Sequence, residues 1–135
     1  MSATSRPVGI TILVFLIVLY AAGVIAWDMV SPFERDYVHV RGPASVVFGL
    51  RVFGLPAQVM HGAQLFVALA LAGGLWTMKT WGWHLVLFVV SYIIISTTVW
   101  VAVYQDLGLI KFAFLNIVMV NVILLLTFPH RDKFA

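Results

Sequence analysis

The chain has 135 residues, of which 63% are hydrophobic and only 10% are charged, and its mean hydropathy is +1.08. A soluble domain carries roughly 25% charged residues, so the composition excludes an ordinary water-exposed surface and indicates lipid as the main solvent. The absence of cysteine excludes thiol redox chemistry, disulfides and cysteine-ligated metal sites. The net charge of +3 is typical of membrane topology and anionic headgroups, and does not indicate nucleic-acid binding.

Four apolar stretches are each long enough to cross a bilayer, which takes about 20 residues. The predicted fold class is therefore an all-α membrane protein, a four-transmembrane-helix bundle that forms one domain over residues 1–135. A cleaved signal peptide is the alternative for the first stretch, but its apolar region would be only about 7–15 residues long. The predicted spans cover about 8–30, 56–78, 83–104 and 109–128.

The first connection, residues 31–53, is the long one. Its second half, residues 44–53, is apolar but too short to cross a bilayer. This predicts a short interfacial helix or a shallow re-entrant piece, packed on the bundle. The second connection is a very short turn at Lys79 and Thr80, so the second and third spans are predicted to be antiparallel neighbours. Pro129 is predicted to end the fourth span, leaving a polar tail at 130–135.

Four spans put both termini on one side of the membrane. Lysine and arginine are tied between the two sides, so the positive-inside rule leaves the orientation open. We expect the cytoplasmic membrane of a prokaryote, with cytoplasmic termini, because three of the four bases on that side lie close to span ends. The bases on the terminal side are Arg6, Lys79, Arg131 and Lys133, and those on the loop side are Arg35, Arg41, Arg51 and Lys111.

Two polar stripes are predicted to meet other helices, because spans in lipid associate through small residues and interhelical hydrogen bonds. At about 100° per residue, the stripe on the second span covers about a third of the helix and comprises Gln58, His61, Gln64, Ala68 and Ala72. A seven-residue period, which suits a left-handed helix crossing, places the stripe of the third span at His84, Ser91, Thr98 and Gln105. Packing is the simpler interpretation. A polar path through the bundle or between subunits is the alternative.

A candidate polar site is predicted on the loop side, formed by Asp28, His61, Asp106 and Lys111. Ionisable groups inside a bilayer are costly and are functional candidates by default. The two aspartates and the lysine can reach the interface, so they are interpreted as topology anchors or as an Asp28–Lys111 ion pair. The alternative is a substrate, ion or quinone site in which His61 is the main residue.

No catalytic residue, metal site or resident cofactor is predicted. His61 and His84 start from opposite sides of the membrane, which argues against a bis-histidine haem, and no cluster has zinc-ligand spacing. Neither a nucleophilic triad nor a phosphate-binding glycine loop is indicated. Bound lipid is expected, and a pigment or quinone at a subunit interface is left open.

Three short motifs resemble an uncharacterised family of small four-span prokaryotic membrane proteins. The chain has R-P-V-G-I-T-I-L at 6–13, G-L-W-T-M-K-T-W-G-W at 74–83 and P-H-R-D-K-F at 129–134, and the family typically begins R-P-x-G-[VI]-T-I-L. The resemblance implies a tetraspan architecture and supplies no activity, cofactor or catalytic residue. The long connection at 31–53 departs from the shorter one usual in that family.

The predicted function is that of a non-catalytic structural or accessory subunit that packs against partner transmembrane helices in a larger membrane complex, respiratory or photosynthetic. The scarcity of catalytic groups, the two stripes and the long connection favour it. The alternative is a small homo-oligomeric transporter or channel with a site near His61 and Lys111. The expected partners are membrane lipids and either other membrane-protein subunits or further copies of the chain; nucleic acid is not expected.

Overall fold

The computed structural model describes residues 6–30, 34–35, 40–41, 44–105 and 110–135. Over this part, four helices are long and apolar enough to cross a membrane, which confirms the predicted all-α, four-helix fold class. The first consists of α1 (Val8–Tyr20) and a π-helical segment (Ala21–Ile25), and α2 (Ala26–Val30) follows it directly. The others are α3 (Leu55–Thr77), α4 (Thr80–Tyr104) and α5 (Ile110–Thr127), which continues as a 3-10 helix over Phe128–Lys133.

The last helix runs past the proline that was predicted to end it. Pro129 lies in the first turn of the 3-10 helix, a position where the missing N–H of proline costs little. The tail then folds back onto the turn between α3 and α4. Ala135 donates its backbone N–H to the Met78 carbonyl at 3.0 Å, and Thr80 donates to the Ala135 carbonyl at 3.3 Å. Residues 130–135 are therefore attached to the bundle.

The prediction of a short helix in the second half of the long connection is wrong, because residues 44–53 form a β-hairpin. Its strands are β3 (Ala44–Val47) and β4 (Leu50–Phe53), paired antiparallel with Ala44 opposite Phe53. Phe48 and Gly49, the two turn residues, have φ angles of 47° and 81°. Two successive positive φ angles give the turn whose twist suits a two-residue hairpin. Earlier in the connection, β1 (Glu34–Arg35) pairs antiparallel with β2 (Val40–Arg41).

The helices pack in a ring in which α1 contacts α3, α3 contacts α4, α4 contacts α5, and α5 returns to α1. The apolar core fills the half of the ring nearer the termini, with Ile10, Leu75 and Val86 among its most buried side chains. Large apolar side chains on the outside of all four helices are exposed, as expected for surfaces that face lipid. Examples are Phe15, Phe66, Phe88 and Leu125.

α3 and α4 approach each other most closely beside their connecting turn. A Cβ atom added to Gly82 would lie 2.5 Å from the carbonyl carbon of Gly74, and one added to Gly74 would lie 2.6 Å from the Cα of Gly82. The two backbones are thus in contact, as small residues allow in membrane helix pairs. This contact holds the two helices together at the end of the ring that lies nearer the chain termini.

Candidate functional site

The β3–β4 hairpin packs on the loop-side half of the α3–α4 pair, where β3 contacts α3 and β4 contacts both α3 and α4. At its tip, Gly49 donates its backbone N–H to the Ser96 hydroxyl at 2.9 Å. Ser96 precedes Tyr104, the last residue of α4, by about 12 Å at 1.5 Å per residue. With α4 as a bilayer span, the tip enters the hydrocarbon region. The re-entrant alternative for the segment stays a prediction, with strands in place of a helix.

Side chains of α3 and α4 bind the backbone of the hairpin. Arg51 donates its backbone N–H to the Tyr104 hydroxyl at 2.9 Å. The Val46 carbonyl accepts two longer contacts of 3.5 Å, from Gln64 Nε2 and from the Tyr92 hydroxyl. Non-helical backbone at membrane depth is tolerated only where protein or water satisfies its polar groups. Polar residues of these two helices therefore serve as hydrogen-bond partners for the strands of the hairpin.

Aromatic contacts fix the hairpin at its tip and along β4. The Phe48 ring meets the Tyr92 ring edge-on, with 5.1 Å between the ring centroids. The Arg51 guanidinium lies 4.1 Å from the centroid of the Tyr104 ring, a cation–π geometry. Because Tyr104 ends α4, this contact places the arginine charge at the end of the span, where it can reach the membrane interface.

The tip of the hairpin touches the backbone of α4 directly. A Cβ atom added to Gly49 would lie 2.6 Å from the Ser96 carbonyl oxygen, the Trp100 amide nitrogen and the Val99 Cβ. Any side chain at this position would therefore push the hairpin away from α4. Together with the positive φ angle, this contact requires glycine at the tip.

We expect Ser96→Ala to lower the free energy of unfolding by about 1–3 kcal/mol, because it leaves the Gly49 N–H without its acceptor in a region that excludes water. The measurement is an SDS titration in mixed micelles, followed by tryptophan fluorescence. Asn121→Ala is the control, since Asn121 is exposed on α5 and its side-chain amide donates to the Ile117 carbonyl of its own helix at 2.8 Å. Equal losses for the two variants would contradict a docked hairpin.

The stripe on α3 faces the interior over most of its length. His61 is only 3% exposed and Ala72 is also buried; Gln64 and Ala68 are half-buried. Gln64 contacts the hairpin, while Ala72 belongs to the apolar core. Gln58, one turn from the start of the helix, is exposed.

The stripe on α4 faces outward, and we call it the α4 outer stripe: His84, Ser91, Thr98 and Gln105, all exposed. Thr98 donates its hydroxyl to the Ile94 carbonyl of its own helix at 2.8 Å, and Gln105 donates to the Ala102 carbonyl at 3.3 Å. At about 100° per residue, this stripe lies on the opposite side of α4 from the residues that hold the hairpin. α4 therefore has two polar faces, one turned to the hairpin and one turned out of the molecule.

The residues of the candidate polar site are not brought together within the described part of the chain. His61 is on α3, whereas Lys111 is exposed on α5, which packs mainly on α1 and α4. The Lys111 Nζ lies 5.0 Å from the centroid of the Phe112 ring. The Asp28 side chain and Asp106 lie outside the described residues, and so does the predicted Asp28–Lys111 ion pair. Among the residues that are described, no group of three or more His, Cys, Asp or Glu side chains could hold a metal.

The sequence reasoning missed the residues that hold the hairpin on α4. A signal for them exists, because Tyr92, Ser96, Trp100 and Tyr104 recur every four residues and so follow one face of the helix. A further contact joins the last two spans, where Asn116 of α5 donates its side-chain amide to the Thr97 hydroxyl of α4 at 2.9 Å. Asn121 bonds within its own helix, to the Ile117 carbonyl at 2.8 Å.

Comparison with known proteins yields no match to this chain, whether with family models, curated proteins or solved structures.

Proposed function

We propose that this chain is a non-catalytic, integral membrane subunit that packs against partner transmembrane helices in a larger complex of the prokaryotic cytoplasmic membrane. The observation that carries the proposal is the exposure of the whole α4 outer stripe. Thr98 and Gln105 donate to carbonyls of their own helix, but a Ser91 hydroxyl that faces hydrocarbon loses the hydrogen bonds it would make in water. A partner helix packed on the stripe would restore them.

The residues between the polar positions also support a helix contact. Leu87, Ile94 and Val101 each follow a polar position by three residues and are exposed large apolar side chains. These polar and apolar positions are spaced alternately by three and four residues, so they follow a single stripe along α4 with the spacing of a packed helix seam.

The use of polar groups inside the ring supports a structural role. Gln64, Tyr92 and Ser96 contact the backbone of the hairpin. Each is thereby occupied in holding a re-entrant segment, as membrane depth requires of polar backbone.

A homo-oligomeric transporter or channel with a site near His61 and Lys111 has less support. The two residues belong to α3 and α5, and the main neighbours of α5 are α1 and α4. Such a site would have to join side chains from opposite corners of the ring.

Native mass measurement after gentle extraction from host membranes tests the proposal. We expect the chain in an assembly larger than its own 15.0 kDa, and we expect Ser91→Phe to release it, because a bulky ring prevents close helix packing. Leu125→Phe is the control, since it introduces the same ring on α5 at a side chain that is 72% exposed. A wild-type chain found alone, or equal release by both variants, would rule the proposal out.

A further inference from the structure

We propose that the helix seated on the α4 outer stripe belongs to a second copy of this chain, inserted in the same orientation, with a two-fold axis parallel to the helices. The inference rests on the proposed function and names the partner at that seam. Three features support it: the chemistry of the stripe, the depth of its residues, and the separation of the stripe from the hairpin.

The stripe is chemically complementary to itself. The hydroxyl of Ser91 and the amide of Gln105 each offer both a hydrogen-bond donor and an acceptor, and neither side chain is charged. A stripe of lysines or of aspartates would repel its own copy, whereas Ser91 and Gln105 can each pair with an identical group.

Depth in the membrane brings equal residues together. Two copies inserted in the same direction have parallel α4 helices, so each residue lies at the same depth as its counterpart. In a parallel helix pair with a seven-residue period, equivalent positions face each other across the seam. Ser91 then meets the Ser91 of the second copy, and Thr98 meets its Thr98. Their small side chains allow close approach at the centre of the bilayer, and the larger His84 and Gln105 lie near the two interfaces.

The seam leaves the rest of the chain undisturbed. Tyr92, Ser96 and Tyr104 hold the hairpin on the opposite side of α4. A second copy can therefore approach the outer stripe without contacting β3 or β4. α5 packs on α4 through a further face, where Asn116 meets Thr97.

Disulfide cross-linking tests this pairing, because the native chain has no cysteine that must first be removed. Ser91→Cys and Thr98→Cys are each oxidised with copper phenanthroline in native membranes. A disulfide needs Cβ atoms about 3.5–4.5 Å apart, so we expect cross-linking at least about ten-fold faster than at Phe66→Cys. The control residue Phe66 is 74% exposed on α3, and it lies as many residues from the end of α3 as Ser91 lies from the start of α4.

The identity and direction of the partner are read from the products. The expected product has twice the 15.0 kDa mass of the chain. In a mixture of the two variants, disulfides between equal positions should exceed mixed disulfides between the Ser91→Cys and Thr98→Cys chains, which an antiparallel arrangement would favour instead. Cross-linking could be slow at both positions while Ser91→Phe still releases the chain from a larger assembly. That result would overturn the proposal that the partner is a second copy, but it would leave the proposed function standing. A chain that is alone in native membranes would overturn both.

Discussion

Replacing Gly49 with alanine is expected to lower the free energy of unfolding by about 2–5 kcal/mol, because it combines backbone strain with overpacking. The φ angle of Gly49 is +81°, and the added Cβ would lie 2.6 Å from two backbone atoms of α4. The helix backbone cannot yield as a flexible side chain could. We therefore expect the tip to leave α4, with loss of the hydrogen bond to Ser96. An SDS titration in mixed micelles measures the loss.

A double-mutant cycle with Ser96→Ala separates these two causes. Strain at the positive φ angle of Gly49 does not depend on the Ser96 hydroxyl, whereas the collision and the lost hydrogen bond both act on the docked tip. The double variant should therefore cost less than the sum of the two single costs. Additive costs would mean that Gly49 does not touch α4.

Undocking of the tip can also be observed directly. Ser45 is 2% exposed, so a Ser45→Cys thiol should react slowly with a maleimide in mild detergent. In the Gly49→Ala background the same thiol should react much faster, because the hairpin no longer packs between α3 and α4. Unchanged reactivity alongside a large loss of stability would place the damage elsewhere in the fold.

The four spans were predictable because hydropathy acts over about 20 residues at a time and depends little on which helices are neighbours. The hairpin was not predictable in the same way. Valines such as Val46 and Val47 occur in membrane helices as readily as in strands, and a Phe-Gly turn is a weaker hairpin signal than Asn-Gly. The deciding interactions come from Gln64, Tyr92 and Ser96, which lie far along the chain from the strands that they hold.

The candidate site shows a second limit of sequence reasoning. Periodicity located the polar stripes on α3 and α4, but period alone does not say which stripe faces inward. The one containing His61 faces the ring, whereas the one containing Ser91 faces out. Likewise, His61 and Lys111 lie on the same side of the membrane in the predicted topology, yet their helices are not neighbours in the ring. Order around a bundle depends on packing, which a single sequence does not reveal.

Gly82→Ala is expected to lower the free energy of unfolding by about 1–3 kcal/mol, because it forces apart α3 and α4, which cannot separate freely. The new Cβ would lie 2.5 Å from the Gly74 carbonyl carbon and 2.6 Å from its oxygen. Met78 and Lys79 join the helices directly beside this contact, so the turn itself would have to distort. The same SDS titration reports the loss. The tail should loosen too, because Ala135 pairs with Met78 and Thr80.

For Gly73→Ala, one residue before Gly74, we expect the opposite effect, an increase in the free energy of unfolding. A Cβ at Gly73 would meet nothing within 4 Å, so alanine there should stabilise α3 by up to about 1 kcal/mol through its higher helix propensity. In the double variant Gly74→Ala with Gly82→Ala, the cost should be less than the sum of the single costs, because the first methyl already opens the contact. Additive costs, or similar effects at positions 73 and 82, would show that the two backbones do not touch. The close approach of α3 and α4 would then have to depend on the core side chains alone.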